Sequence, residues 1–295
     1  MPKAIIDGME THYTVVGEGA PILMFAPGGF DASLDKWSNL GIYARIRLLD
    51  HLPRRFRCIL FDRRETGRSG GRVERIGWEH YVAQGVGLLD HLGVEKAHLM
   101  GGCMGCCPVA AFATRHPDRV LSMVQYWPVG GAGFRINGHR RFAIHYAQVE
   151  ERGLQGIVDL ALATTEGFGR DPRPGPWAPL LRRDPAFRES FLRQNIDHYK
   201  LIVAGLPRVL LDRDSVPGFE PEDLLRLDIP TLIIPGRDNA HALSAARFLE
   251  ECSPNVEFWD VAPEGQTEDT APARILDFLG RIPGPGPGPG VDGNG

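Results

Sequence analysis

Short apolar runs alternate along the first half of the chain with longer stretches whose apolar residues recur at helical spacing. The runs predict a strand from residue 11 to the turn at 17–19, followed by the strands Ile22–Phe25, Arg57–Asp62, Ala97–Met100 and Val120–Trp127. Helical spacing predicts helices over Trp78–Leu92 and Pro108–His116. Strands that alternate with helices at this spacing indicate crossover connections. We therefore expect an α/β fold with a mostly parallel sheet and helices on both faces.

The alternation stops between residues 128 and 227 and then resumes. The interrupted region contains helical pieces that we place at Arg140–Arg152, Leu154–Thr164 and Phe187–Leu211, separated by segments rich in Pro and Gly. Beyond it we predict strand Thr231–Ile234, helix Ser244–Cys252, strand Val256–Val261 and helix Ala271–Arg281. This order predicts a core in two parts, 1–127 and 228–282, with an inserted helical lid at 128–227. The Pro/Gly tail at 283–295 is expected to be disordered.

Composition narrows the class of protein. The chain has 295 residues, 43% of them apolar and 24% charged, with a formal net charge of −4. These values are ordinary for a globular domain. Lys and Arg are scattered along the sequence, so neither nucleic acid nor a membrane is an expected partner. We expect a small-molecule substrate as the partner, and a homodimer stays open.

The N-terminus and the cysteines indicate a cellular compartment. The first residues lack a long apolar segment and a small-residue cleavage site, and no apolar run is long enough to span a bilayer. The five cysteines are odd in number, which argues against a disulfide framework. We therefore expect free thiols and a cytoplasmic protein.

Three cysteines crowd into one glycine-rich turn after a predicted strand. Gly101 and Gly105 bracket Cys103, and the pattern Gly-x-nucleophile-x-Gly between a strand and a helix is typical of a nucleophile elbow. The start of the following helix favours a thiolate, so we expect Cys103 to be a nucleophile and the N–H of Met104 to face a developing oxyanion.

Cys103 has two other interpretations. A free cysteine is often a small buried apolar residue, but the tip of an elbow points into a pocket. Cys103 and Cys106 also have Cys-x-x-Cys spacing, which suggests redox chemistry, although redox motifs of that type lack the flanking glycines.

Five motifs in order resemble the α/β-hydrolase superfamily over about residues 10–281. They are Pro27–Phe30, Asp62–Ser69, Gly101–Gly105, His116–Val120 and Pro235–Asp238. The resemblance implies an oxyanion loop that contributes Gly29 or Phe30, and a catalytic acid at Asp238.

One expected residue is absent from this pattern. The family's histidine lies in the loop after the last strand, but residues 262–269 contain none, and Gln266 stands near that place. The nearest substitute is His241, three residues after Asp238, which serves either as the proton-transfer group or as a cap of the next helix. Further candidates are histidines of the predicted lid, His139, His145 and His198.

The sequence leaves three functions open. The first is an acyl enzyme in which Cys103 attacks an activated ester, thioester or lactone of a small molecule, because a thiol needs less help from a base than a hydroxyl does. The second is a non-hydrolytic cyclase or lyase that forms the same acyl intermediate. The third is a small-molecule binder without catalysis. No cofactor is expected, and no residue spacing indicates a metal site.

Overall fold

The computed structural model describes residues 2–284, so the tail prediction for 285–295 concerns residues outside the described part. The strands are β1 Lys3–Ile6, β2 Met9–Val16, β3 Ala20–Phe25, β4 Phe56–Phe61, β5 Ala97–Gly102, β6 Val120–Tyr126, β7 Thr231–Ile234 and β8 Val256–Phe258. The helices are α1 Lys36–Asn39, α2 Gly41–Ile46, α3 Leu48–His51, α4 Trp78–His91, α5 Cys106–Arg115, α6 Ala132–Ala163, α7 Ala178–Arg183, α8 Pro185–Leu192, α9 Ile196–Leu210, α10 Pro221–Leu224, α11 Leu243–Cys252 and α12 Thr270–Gly280.

The eight strands form one sheet in the order β1-β2-β4-β3-β5-β6-β7-β8. The pairs β1–β2 and β2–β4 are antiparallel, and every other neighbouring pair is parallel. The predicted mostly parallel α/β sheet is therefore confirmed. Because β5, β6 and β7 are parallel neighbours, the loops that follow them meet at one edge of the sheet.

Alternate residues of the central strands enter two separate cores, one on each face of the sheet. In β3, Leu23 and Phe25 join the core that includes α4 and α5, whereas Ile22 and Met24 join the core on the side of α1–α3 and α12. Both faces are apolar, which explains why the strands have continuous apolar runs instead of alternating polarity.

The region between β6 and β7 contains α6 to α10, and its helix boundaries agree with the prediction in part. Gly153, with a left-handed φ of 66°, interrupts the helical backbone of α6, so two helical pieces meet at the predicted break, although the first begins earlier, at Ala132. Phe187–Leu211, predicted as one helix, is two. The side chain of Asn195 accepts a hydrogen bond from the His198 backbone N–H at 3.0 Å and starts α9 anew.

Two smaller corrections concern the sheet and its flanks. Strand β1 and the short helices α1–α3 were not predicted, and β8 ends at Phe258, three residues before the predicted end at Val261. Among the residues that the structure describes, no helix is both long and apolar enough to cross a membrane.

Candidate active site

Cys103 lies at a strained turn between β5 and α5. Its backbone φ is 53°, in the left-handed region that non-glycine residues rarely adopt. A Cβ atom on Gly101 would lie 2.5 Å from the carbonyl oxygen of Gly105, and one on Gly105 would overlap the carbonyl oxygen of Phe25. The glycines are therefore required by the close approach of the backbone, as the elbow pattern predicts.

The Cys103 thiol is held among backbone donors and one imidazole. Burial raises the pKa of this thiol, but the charge and hydrogen-bonding capacity of His241 and the backbone N–H groups of Gly28 and Met104 outweigh burial, so the net pKa is lowered. The other four cysteines lie in apolar surroundings, and burial raises their pKa values, to about 12 for Cys58.

His241 is fixed by the loop after β7. Its Nδ1 lies 2.8 and 2.9 Å from the two carboxylate oxygens of Asp238. The same carboxylate accepts hydrogen bonds from the backbone N–H groups of Ala240 and His241 at 2.8 and 2.9 Å. These contacts fold the acid and the imidazole into one tight turn. The His241 ring then points its other nitrogen, Nε2, away from the acid.

Neighbouring elements hold this turn against the end of β6. Residues Gly130 and His241 form an isolated β-bridge, and the Trp127 ring packs on the imidazole with centroids 5.3 Å apart. A Cβ atom on Gly236 would lie 2.6 Å from Cβ of His241 and 2.9 Å from the Trp127 ring, so only glycine fits between them.

The buried end of His241 faces the thiol. The side chain is 13% exposed, and Nε2 is buried without a hydrogen bond to any described residue. Burial lowers the pKa of His241, but the Cys103 sulfur and the Asp238 carboxylate raise it to about 10. The bond to His241 lowers the pKa of Asp238 to about 2. The lowered pKa of the thiol and the raised pKa of the imidazole both act in favour of a thiolate–imidazolium pair, and the carboxylate orients the imidazole.

Helix capping does not account for His241. Helix α11 begins after Ala242, and no side chain caps it. The ring bonds to Asp238 instead, so the capping interpretation of His241 is wrong and its proton-transfer role stays a prediction.

Gln266 occupies the place after β8 where the family pattern has its histidine, and it is fully buried. Its Oε1 accepts hydrogen bonds from the Tyr126 hydroxyl at 2.9 Å and from the Trp127 indole at 2.7 Å. Its Nε2 donates to the carbonyl oxygens of Pro235 and Val261 at 2.9 and 2.8 Å. Every hydrogen-bonding position of the Gln266 amide is therefore used. These bonds connect the ends of β6, β7 and β8 behind the His241 turn.

The predicted oxyanion donors lie in two adjacent turns. Gly29 and Phe30 belong to a one-turn helix at Gly29–Asp31, which lies against the turn Cys103–Gly105 that contains Met104. From this loop, the backbone N–H of Gly28 acts on the Cys103 sulfur. The role of Gly29 or Phe30 as an oxyanion donor stays a prediction.

The three other histidines are placed among the helices of 128–227. His145 is fully buried and bonds to the Tyr199 hydroxyl at 2.7 Å and the Arg173 carbonyl at 2.8 Å, contacts that stabilise the packing of α6 on α9. His139 is half-buried on α6, and His198 is exposed at the start of α9. None of the three acts on the Cys103 thiol as His241 does.

Comparisons with known proteins agree with this architecture. A family model described as the alpha/beta hydrolase fold matches residues 21–125. The non-heme haloperoxidase of Rhodococcus erythropolis is 32% identical over 79% of this chain and 80% of its own length. A 2-hydroxy-6-oxo-6-phenylhexa-2,4-dienoate hydrolase of Comamonas testosteroni is 30% identical over 61% of this chain, which spans 63% of that relative's length.

A solved structure extends the likeness to the whole fold. The enol-lactonase from Burkholderia xenovorans LB400 is 20% identical, covers 95% of this chain and 100% of its own, and has a TM-score of 0.59. From the strand order, the elbow and these relatives, the chain belongs to the α/β-hydrolase fold family.

Proposed function

We propose that the chain is an acyl hydrolase that uses Cys103 as its nucleophile, with His241 and Asp238 as the proton-transfer unit. The observation that carries the proposal is the lowered pKa of a thiol at the tip of the elbow, beside a buried imidazole that a carboxylate orients. Names of relatives support the reaction class, since the Comamonas relative is named as a hydrolase of an oxo-dienoate.

The acylation step follows from the placement of charge. The Cys103 thiolate attacks the carbonyl carbon, and the carbonyl oxygen takes up the electron pair as an oxyanion. Backbone N–H groups of the elbow and of the oxyanion loop stabilise that charge. Those of Met104 and Gly28 lie beside the sulfur. Those of Gly29 or Phe30 lie further along the oxyanion loop. The intermediate collapses, the bond to the leaving group breaks, and Nε2–H of His241 gives that group its proton.

Deacylation restores the enzyme. Neutral His241 takes a proton from water, the hydroxide adds to the thioester carbonyl, and the thiolate leaves as the acid product forms. Asp238 stays ionised throughout, because its pKa lies near 2. It holds Nδ1 protonated, so that Nε2 is the nitrogen that exchanges protons.

The proposed substrate class is an activated carbonyl: an ester, a thioester or a lactone. A thiol whose pKa is lowered beside an imidazolium ionises more readily than an ordinary thiol, so the barrier depends less on activating the nucleophile and more on the leaving group. Phenolate, enolate and thiolate leaving groups suit such a site better than the amine of an amide.

Intact-protein mass spectrometry tests the proposal. The parent, Cys103→Ala and the matched control Cys252→Ala are mixed with p-nitrophenyl acetate and with an acetyl thioester. We expect one acetyl group on the parent and on Cys252→Ala, none on Cys103→Ala, and loss of the label with time as free acetate appears. Acetylation that persists in Cys103→Ala would refute the nucleophile, and a label that moves only to an added alcohol or thiol would make the protein a transferase.

A further inference from the structure

A second functional feature lies in the loop after β4, away from Cys103. Arg63 is 5% exposed, and the buried Nε and Nη1 of its guanidinium have no hydrogen-bond partner among the described residues. The guanidinium lies over the face of Tyr81, with its carbon 4.4 Å from the ring centroid, and its charge acts to lower the pKa values of Asp31 and Glu65, although burial raises both. A buried cation whose N–H groups lack acceptors is costly, and native structures rarely tolerate it without a ligand or water.

The neighbouring arginine shows the contrast. Arg64 is as buried as Arg63, but its Nε donates to Glu65 Oε1 at 2.8 Å and its Nη2 bonds to Glu74. Glu65 is thereby engaged by Arg64, although its Oε2 has no partner among the described residues. Arg63 Nε and Nη1 therefore have no acceptor among the described residues, although the Glu65 carboxylate lies near enough to feel the charge of Arg63.

Backbone strain marks the same place. Glu65 has a φ of 68°, a left-handed conformation that costs free energy for a residue with a side chain. In this conformation the carboxylate of Glu65, 4% exposed, accepts a hydrogen bond from Arg64. Such strain persists only where the surroundings enforce it and is concentrated at functional sites.

Arg63 lines a narrow cavity that adjoins the oxyanion loop. Phe30, Tyr81 and Trp177 form its walls together with Arg63 and Glu65. Phe30 belongs to the loop beside the elbow, and the Arg63 backbone N–H donates to the Ala32 carbonyl at 3.2 Å. The loop beside the elbow therefore supplies part of the cavity wall.

We propose that Arg63 binds a carboxylate group of the substrate in this cavity, so that the preferred acyl compounds carry a negative charge away from the reacting carbonyl. A carboxylate supplies two acceptor oxygens, which match the two unpartnered N–H positions of the guanidinium. The cavity is narrow, so Phe30 or its neighbours must shift to admit the group. This inference rests on the proposed function and names its substrate class.

A pair of esters tests it through selectivity. The mono-p-nitrophenyl ester of glutaric acid and p-nitrophenyl pentanoate differ in the end of the acyl chain, a carboxylate against a methyl group. We expect the parent to prefer the acid, and Arg63→Gln to lower the ratio of the two kcat/KM values by at least about tenfold, since a hydrogen bond to a charged group is lost. Arg170→Gln, at a side chain that is 83% exposed, is the matched control and should leave the ratio unchanged.

A binding measurement separates this inference from the proposed function. Calorimetry with glutarate on the Cys103→Ala variant needs no catalysis, and binding that Arg63→Gln abolishes would support the subsite even if no ester were hydrolysed. A lower melting temperature of Arg63→Gln, with an unchanged ratio of the kcat/KM values for the two esters, would overturn the inference. Arg63 would then be a structural contact of Tyr81. Absence of glutarate binding to the parent would overturn it as well.

Discussion

The imidazole of His241 is the group whose removal tests the site most directly. Its pKa of about 10 lies well above the ordinary 6.5, and this gap corresponds to a preference on the order of 5 kcal/mol for the protonated ring beside the thiolate and the carboxylate. The same attraction is what lowers the pKa of the buried Cys103 thiol. His241→Gln keeps hydrogen bonding to Asp238 but removes the positive charge.

The expected magnitude follows from the fraction of thiolate. Without the imidazolium, burial acts on Cys103 with only backbone donors to oppose it, so its pKa should rise. Alkylation by iodoacetamide requires the thiolate. We therefore expect the alkylation rate at pH 7 to fall in His241→Gln, by about tenfold for each unit by which the thiol pKa then lies above the pH.

The assay is the rate of carbamidomethylation of Cys103, followed by peptide mapping, together with the thiolate absorbance across a pH titration. His198→Gln, at an exposed histidine of α9, is the matched control and should react like the parent. An alkylation rate in His241→Gln within a factor of two of the parent would refute the thiolate–imidazolium pair. The proposed proton-transfer role would then have to pass to another residue.

Three more predictions extend this reasoning. Cys103 should be alkylated before the other four cysteines, because burial raises the pKa of each of those, and mapping that finds Cys58 labelled first would contradict the elbow assignment. Asp238→Asn should have a lower free energy of unfolding than the parent above about pH 4, because the folded pKa of Asp238 lies below its unfolded value. The difference between the two proteins should vanish as the pH falls toward 2, and urea unfolding at several pH values checks this. Gln266→Ala should lower the free energy of unfolding by about 2–4 kcal/mol, because four buried polar groups lose their partner, whereas Gln155→Ala at an exposed site should change it by less than about 0.5 kcal/mol. Equal free energies of unfolding for Gln266→Ala and Gln155→Ala would show that the hydrogen bonds of Gln266 do not stabilise the fold.

The fold was predictable from the sequence because its signals are local. Apolar runs such as Ala97–Met100 need only their own residues and the flanking glycines to indicate a buried strand and an elbow. The break at Asn195 was missed because the helical spacing continues through it, and only the cap between its side chain and the His198 N–H separates two helices. Strand β1 was missed because its alternation spans just four residues at the sheet edge.

The site was predictable in its members but not in its geometry. The motif order singled out Cys103 and Asp238, and the absence of a late histidine drew attention to His241. That the ring reaches the thiol depends on contacts distant in sequence: the bridge to Gly130, the Trp127 ring, and the gap that Gly236 leaves for both. The isolated guanidinium of Arg63 has no sequence signal at all, since a doubled arginine beside a glutamate gives no sign of which arginine the carboxylate bonds.

The turn from Asp238 to His241 has a consequence for how the site responds to motion. Where acid and imidazole come from separate loops, a shift of one strand against another breaks their contact. Here three residues of backbone set the distance between the Asp238 carboxylate and the His241 ring. Small movements of the strands therefore change the distance between sulfur and imidazole, while the carboxylate moves together with the ring. The ring would keep its tautomer while approaching or leaving the thiol, and turnover would depend on the placement of a single rigid piece.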